Sequence, residues 1–224
     1  MKRSAAENLR RFYDSFSGET KVLIAIMADP DALSSAMAVK RLLWRKVAAT
    51  DIASINIVKR ADNLTLIKSL GLKIIPLEEI AVGKYGRVVM VDSQPGHSEA
   101  FKKIEHHVVI DHHHVNCTEA TFIDIRPEYG ATATIMTEYL RAAKITPSAK
   151  LATGLLYVIK TDTDDFARPS ALEDVLAFQF LYPLASKNLV SKIEQAEIDI
   201  GFLSYYRMAI ERIARSKDWI FCHL

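Results

Sequence analysis

The chain has 224 residues, half of them hydrophobic and a quarter charged, the balance of an ordinary soluble globular protein. Its formal net charge of +2 gives no bulk electrostatic case for a nucleic-acid binder, although a short oligonucleotide held locally stays open. Cys117 and Cys222 form neither a disulfide framework nor a zinc spacing, no apolar run approaches the roughly 20 residues of a membrane span, and Met1-Lys2-Arg3-Ser4 leads into no signal-peptide core, so a cytoplasmic, non-membrane protein is expected.

In chain order, residues 5–16 predict a lead-in helix, with Leu9, Phe12, Tyr13 and Phe16 on one stripe. Residues 21–28 read as a first buried strand, 31–46 as a helix and 51–58 as a second strand. A short helix over 63–70 is closed by Gly71. Strands follow at 73–77 and 87–92, a short helix near 97–104, a strand over 108–111 and another over 120–125. This alternation predicts an α/β fold: a doubly wound, mostly parallel sheet flanked by helices. From Ala131 onward the pattern turns helical, over 131–143, 148–160, 170–184, 189–197 and 202–216, and residues 218–224 are apolar enough to begin a further strand.

Four apolar stretches end in acid. Residues 22–28 run into Asp29-Pro30-Asp31, 88–91 into Asp92, 108–110 into Asp111-His112-His113-His114, and 155–160 into Thr161-Asp162-Thr163-Asp164-Asp165. Each has an ordinary structural explanation when taken alone: a helix cap at Asp31, a turn residue at Asp92, a solvated run of acids at 162–165, an exposed run of histidines. Together they predict a carboxylate–imidazole metal site assembled from distant segments at the ends of rigid elements. Such oxygen and imidazole donors suit Mn²⁺ or Mg²⁺, with zinc, iron or cobalt remaining open. Two such ions about 3.5–4 Å apart clamp the attacking and leaving oxygens of a phosphoester.

These residues resemble the DHH phosphoesterase family over residues 21–166. Asp29-Pro30-Asp31-Ala32-Leu33-Ser34-Ser35 is similar to its first motif, Asp92 to its second and Asp111-His112-His113 with Asn116 to its third. Gly130-Ala131-Thr132-Ala133 resembles its Ala-Thr helix start, and Gly154-Leu155-Leu156 leading to Thr161-Asp162-Thr163 and Phe166 its fourth motif. The resemblance implies that Asp92 bridges two Mn²⁺ ions, with Mg²⁺ or Co²⁺ as substitutes. It implies further that Asp29 serves one ion and Asp31, His112 and Asp162 the other, while His113 faces the substrate phosphate and Asp111 orients the neighbouring imidazole. His114 receives no role, and Arg126 is a candidate phosphate contact. The histidine that many members carry four residues before the first-motif aspartate is here Ala25, which would weaken the first metal site. The family's Gly-Gly-Gly-His substrate motif has no counterpart among the eight glycines.

A catalytic domain over residues 1–170 is therefore expected, with 171–224 a helical extension toward an absent glycine-rich substrate domain. The expected activity is metal-dependent hydrolysis of a phosphate ester of a nucleotide or short oligonucleotide, of the nanoRNase or phosphoadenosine-phosphate phosphatase kind. Pyrophosphatase or exopolyphosphatase chemistry, on a polyphosphate substrate, is one alternative. A degenerate non-catalytic module binding nucleotide or metal is another. Apolar stripes at Val175, Leu176, Phe178, Leu181 and Leu184 and at Phe202, Leu203, Tyr206, Ile210 and Ile213 predict interdomain packing or a homodimer.

Overall fold

The computed structural model describes residues 3–116, 119–195 and 201–222. Met1, Lys2, Cys117, Glu197, His223 and Leu224, each touched by the expectations above, lie outside the described residues, as does the side chain of Phe202. Strands β1 (Lys21–Ile26), β2 (Ala49–Ser54), β3 (Ile74–Pro76), β4 (Arg87–Val91), β5 (Val108–Asp111) and β6 (Phe122–Ile125) form one sheet in the order 3-2-1-4-5-6. Every neighbouring pair is parallel. The winding direction reverses between β1 and β4, so the connections leaving their carboxyl ends diverge and open a crevice there.

The strands are continuous apolar runs because the sheet is covered on both faces. Val22, Ile24 and Ile26 of β1 pack on one side with the main helical layer, while Leu23 and Ala25 join Ala53, Met90, Phe101 and Val109 on the other. The main layer holds α1 (Ala5–Asp14), α2 (Pro30–Leu42), α3 (Ala61–Leu70), α5 (Thr132–Ala142), α6 (Ala149–Asp162), α7 (Leu172–Leu181) and α8 (Lys187–Glu194). The opposite face has a thinner cover of short 3₁₀ turns and α4 (Glu99–Lys102). Gly154 lets α6 and α2 touch closely, since a Cβ there would stand 2.9 Å from Ser34 Oγ. Gly71 closes α3 in the left-handed conformation (φ 70°), as a helix C-terminus favours.

The sheet and its helices follow the sequence expectation, with corrections at their ends, the helix expected over 31–46 closing at Leu42. The second strand, expected to reach residue 58, stops at Ser54 because the Asn56 side chain turns to the backbone of Ala28. The last expected helix, 202–216, ends at Glu211 as α9 (Phe202–Glu211). Ala214–Ser216 (β7) then pairs antiparallel with Trp219–Phe221 (β8) across Lys217, whose φ is 52°. Leu203, Tyr206, Ile210 and Ile213 on this segment are exposed.

Candidate metal centre

The first acidic pair sits where β1 passes into α2. Asp29 is extended (φ −134°) and its Oδ1 accepts the Ala32 amide at 2.9 Å, so Asp29, and not Asp31, is the helix cap. Pro30 follows at the first helical position, where its missing N–H costs nothing. Asn56 holds the approach to this turn from the side: its Oδ1 accepts the Ala28 amide at 2.6 Å and its Nδ2 donates to the Ala28 carbonyl at 3.0 Å.

Asp31 lies one residue inside the helix and is buried. It accepts Thr132 N at 2.6 Å, Ala133 N at 2.9 Å and Ser35 Oγ at 2.9 Å. Helix α5 begins at Thr132 without a side-chain cap of its own. A carboxylate from 101 residues earlier therefore satisfies its free amides, and the positive end of its dipole favours the charge. Asp92 follows β4 in the left-handed region (φ 56°), a conformation costing a non-glycine residue roughly 1–2 kcal/mol that persists only when the surroundings fix it. Its Oδ1 accepts the Thr132 hydroxyl at 2.9 Å.

Beyond β5, the Asp111 carboxylate is buried and fully engaged. Its Oδ1 accepts His112 N at 2.8 Å and His113 Nδ1 at 2.8 Å, and its Oδ2 accepts Gln94 Nε2 at 2.7 Å. Gln94 also donates to the His114 carbonyl and accepts from Asn116 N, so one amide side chain ties the loop after β4 to the loop after β5. His112 Nδ1 lies 3.1 Å from the Tyr129 carbonyl, which can only accept. The proton therefore sits on Nδ1, and Nε2 presents a lone pair 3.6 Å from Asp92 Oδ1 and 3.9 Å from Asp31 Oδ2. His113 likewise donates from Nδ1 to Asp111, and its ring is half-exposed.

Asp162 arrives from the last turn of α6. Ligand atoms of Asp31, His112 and Asp162 lie within 4.8 Å of one another, as do those of Asp92, His112 and His113, and those of His97, Asp111 and His113. Burial, then the charge of Asp29, pushes Asp31 up to about 7. Burial and the charges of Asp31 and Asp29 do the same for Asp162, also to about 7. Asp92 rises well above the usual carboxylate range for the same two reasons, burial first and Asp31 next. Burial would also raise Asp111, but hydrogen bonds from His113 and Gln94 outweigh it and leave Asp111 low. The Asp111 hydrogen bond raises His113, while burial lowers His112. Crowded carboxylates facing an imidazole lone pair favour a cation over three bound protons, so the donor set fits one or two divalent ions.

Of the residues singled out from the sequence, the structure brings together Asp31, Asp92, Asp111, His112, His113 and Asp162. Asp29 stands beside them as the cap and belongs to none of the three groups. Ala25 is buried on the far face of the sheet between Ala53 and Met90 and offers no donor. Arg126 corrects the expectation of a phosphate contact. Four of its N–H donors go to Asp124, Tyr129 and Glu138 in a buried network. Sequence reasoning missed Gln94 and the Tyr129 carbonyl as supports of the acidic and histidine side chains. Ser35 and Thr132 lie within motifs that assign them no role. Gln94 stood two residues after Asp92 without a pattern of its own, and a carbonyl leaves no trace in a sequence.

Residues 21–159 match the N-terminal domain of the DHH family. The uncharacterized protein MJ1633 of Methanocaldococcus jannaschii is 34% identical over 189 residues, 84% of this chain, and the match covers 40% of that protein's length. An exopolyphosphatase-related protein from Bacteroides fragilis has a similar fold, with a TM-score of 0.76 at 16% identity, over 97% of this chain and 68% of its own.

Proposed function

The chain belongs to the DHH family, and on that premise we propose that it is a metal-dependent phosphoesterase acting on a nucleotide or short oligonucleotide. One observation carries the reading. The lone pair of His112 points at Asp31 and Asp92 from within a buried acidic cluster that is costly to hold without a cation. Asp31, Asp92, His112 and Asp162 would hold the ion or ions, preferably Mn²⁺, whose oxygen and imidazole preferences they match. A divalent cation bound there supplies Lewis acidity toward water and toward phosphoryl oxygens.

The rest of the chemistry belongs to the protein. Asp111 keeps the Nδ1 proton of His113 in place, which leaves the other ring nitrogen to meet the substrate. In its protonated form that nitrogen donates to a phosphoryl oxygen, and it can pass a proton to a departing alkoxide. Thr132 fixes one Asp92 oxygen and the amides of α5 fix both Asp31 oxygens, so these carboxylates need no rearrangement to meet a ligand. The near-neutral net charge favours a small anionic substrate over a long nucleic acid.

Anhydride hydrolysis is the second reading. It is favoured by the fold likeness to an exopolyphosphatase-related protein and uses the same side chains. Phosphate or mononucleotide release in Mn²⁺ from mononucleotides, short RNA, cyclic dinucleotides and pyrophosphate separates the two. Asp92→Asn is expected to lower the rate about 100-fold or more on whichever substrate is turned over. Equal background rates for both proteins on every substrate would overturn the enzymatic reading and leave a non-catalytic binder.

A further inference from the structure

The loop 129–133 carries a large share of the organisation just described. It supplies the carbonyl that sets the His112 tautomer, the two amides that hold Asp31 and the hydroxyl that holds Asp92. Three of the four side chains assigned to the cation therefore depend on this loop being in one place. The loop's own sequence supplies part of its anchorage, the Tyr129 hydroxyl between Arg126 and Glu138, but α5 starts without a side-chain cap.

The rest comes from the helical region after residue 170. Asp174, in the first turn of α7, is fully buried. Its Oδ2 accepts the Gly130 amide at 2.9 Å and the Ala171 amide at 2.7 Å, and its Oδ1 accepts the Thr134 hydroxyl at 2.5 Å. It therefore grips the loop on both sides of Thr132 and Ala133. Gly130 lies so close that a Cβ would stand 2.5 Å from Thr163 Cγ2 and 3.2 Å from Asp174 Oδ2. Thr163 is the residue after Asp162. One buried carboxylate thus sits where the loop, the end of α6 and the start of α7 meet.

We propose that Asp174 is a positioning residue for the metal centre: it acts through the loop 129–133 to hold Asp31, Asp92 and His112 in ligating geometry. The inference rests on the metal-centre reading above. It also makes α7 part of the catalytic unit, because a boundary at residue 170 would cut Asp174 from the loop it holds.

The role is geometric and not electrostatic, which the variants separate. In Asp174→Asn the amide oxygen can still accept the two backbone amides and the NH₂ group can donate to Thr134 Oγ1, so the contacts survive without the charge. Asp174→Ala removes all three. Mn²⁺ titration of the metal-free 224-residue chain, read by calorimetry or by loss of the free-ion spin-resonance signal, is the test. Asp174→Ala is expected to weaken Mn²⁺ about 10–100-fold, as loss of a ligand-orienting partner does, while Asp174→Asn stays within about threefold of wild type. Leu23→Ala, in the apolar cluster on the opposite face of the sheet, is the control for stability loss away from the site and leaves Mn²⁺ affinity unchanged.

Wild-type affinity in Asp174→Ala overturns the proposal. Equal weakening by Asp174→Asn and Asp174→Ala overturns it too, since a charge effect would then be at work. Should Asp174→Ala not fold, Gly130→Ala displaces the same loop against Thr163 with Asp174 intact, and unchanged Mn²⁺ affinity there is equally fatal. A wild-type chain that binds no Mn²⁺ refutes the metal-centre reading itself, an outcome distinct from any difference between variants.

Discussion

Replacing Asp162 by Asn is expected to stabilise the metal-free protein at alkaline pH and to weaken its response to Mn²⁺. The carboxyl is raised from 3.8 to about 7 by burial and by the neighbouring charges of Asp31 and Asp29. The folded state therefore keeps a proton that the unfolded state has released. Stability is highest below pH 4, falls as the pH climbs from about 4 to 7, and is flat beyond. A rise of that size is worth roughly 4 kcal/mol at most, at about 1.4 kcal/mol per pH unit. Asp162 is partly exposed and shares its titration with Asp31, so about half of this, roughly 2 kcal/mol, is expected. Asn carries no such penalty. For a chain of this length 1 kcal/mol moves Tm by about 2–4 °C, so in EDTA at pH 8 the variant melts about 4–8 °C above wild type and at pH 4 within about 2 °C of it. Saturating Mn²⁺ adds about 2.7 kcal/mol to wild type at 100 times Kd, and less to the variant, which has lost a ligand. Differential scanning fluorimetry at the two pH values, with and without Mn²⁺, reads all four conditions. A variant that is less stable by the same amount at both pH values, or that gains as much from Mn²⁺ as wild type, would refute the reasoning.

Arg126→Met is expected to cost about 3–5 kcal/mol, because Asp124 and Glu138 lose their buried partner; chemical denaturation checks it. Gly154→Ala is expected to lose about 1–2 kcal/mol, the clash with Ser34 Oγ exceeding the gain in helix propensity. In the double variant Ser34→Ala/Gly154→Ala the closest contact is gone and so is a buried hydroxyl without a partner, leaving only the ends of the Leu70 side chain, 3.2 Å away, to shift, so its Tm should equal or exceed that of wild type.

The chain's own pattern determined the sheet, because strands buried on both faces must be written as continuous apolar runs and helices with a stripe. It also placed Asp31, Asp92, Asp111, His112 and Asp162 at element ends, where a run of one hydropathy stops and polar groups can begin. Two matters were decided by tertiary structure alone. The first is which acid does what: Asp29 and Asp31 differ by one turn position, and only the arrival of α5 shows that one caps its own helix while the other caps a distant one. The second is the supporting layer. Gln94, Asn56, the Tyr129 carbonyl and Asp174 act through hydrogen bonds between segments far apart in the chain, and such bonds need no periodicity, spacing or composition. Arg126 shows the converse, since an arginine beside a strand end reads as a free cation until the fold encloses it with Asp124 and Glu138. Local order is dictated by which side chains must leave water. The partner each buried polar group finds is dictated by where the chain returns.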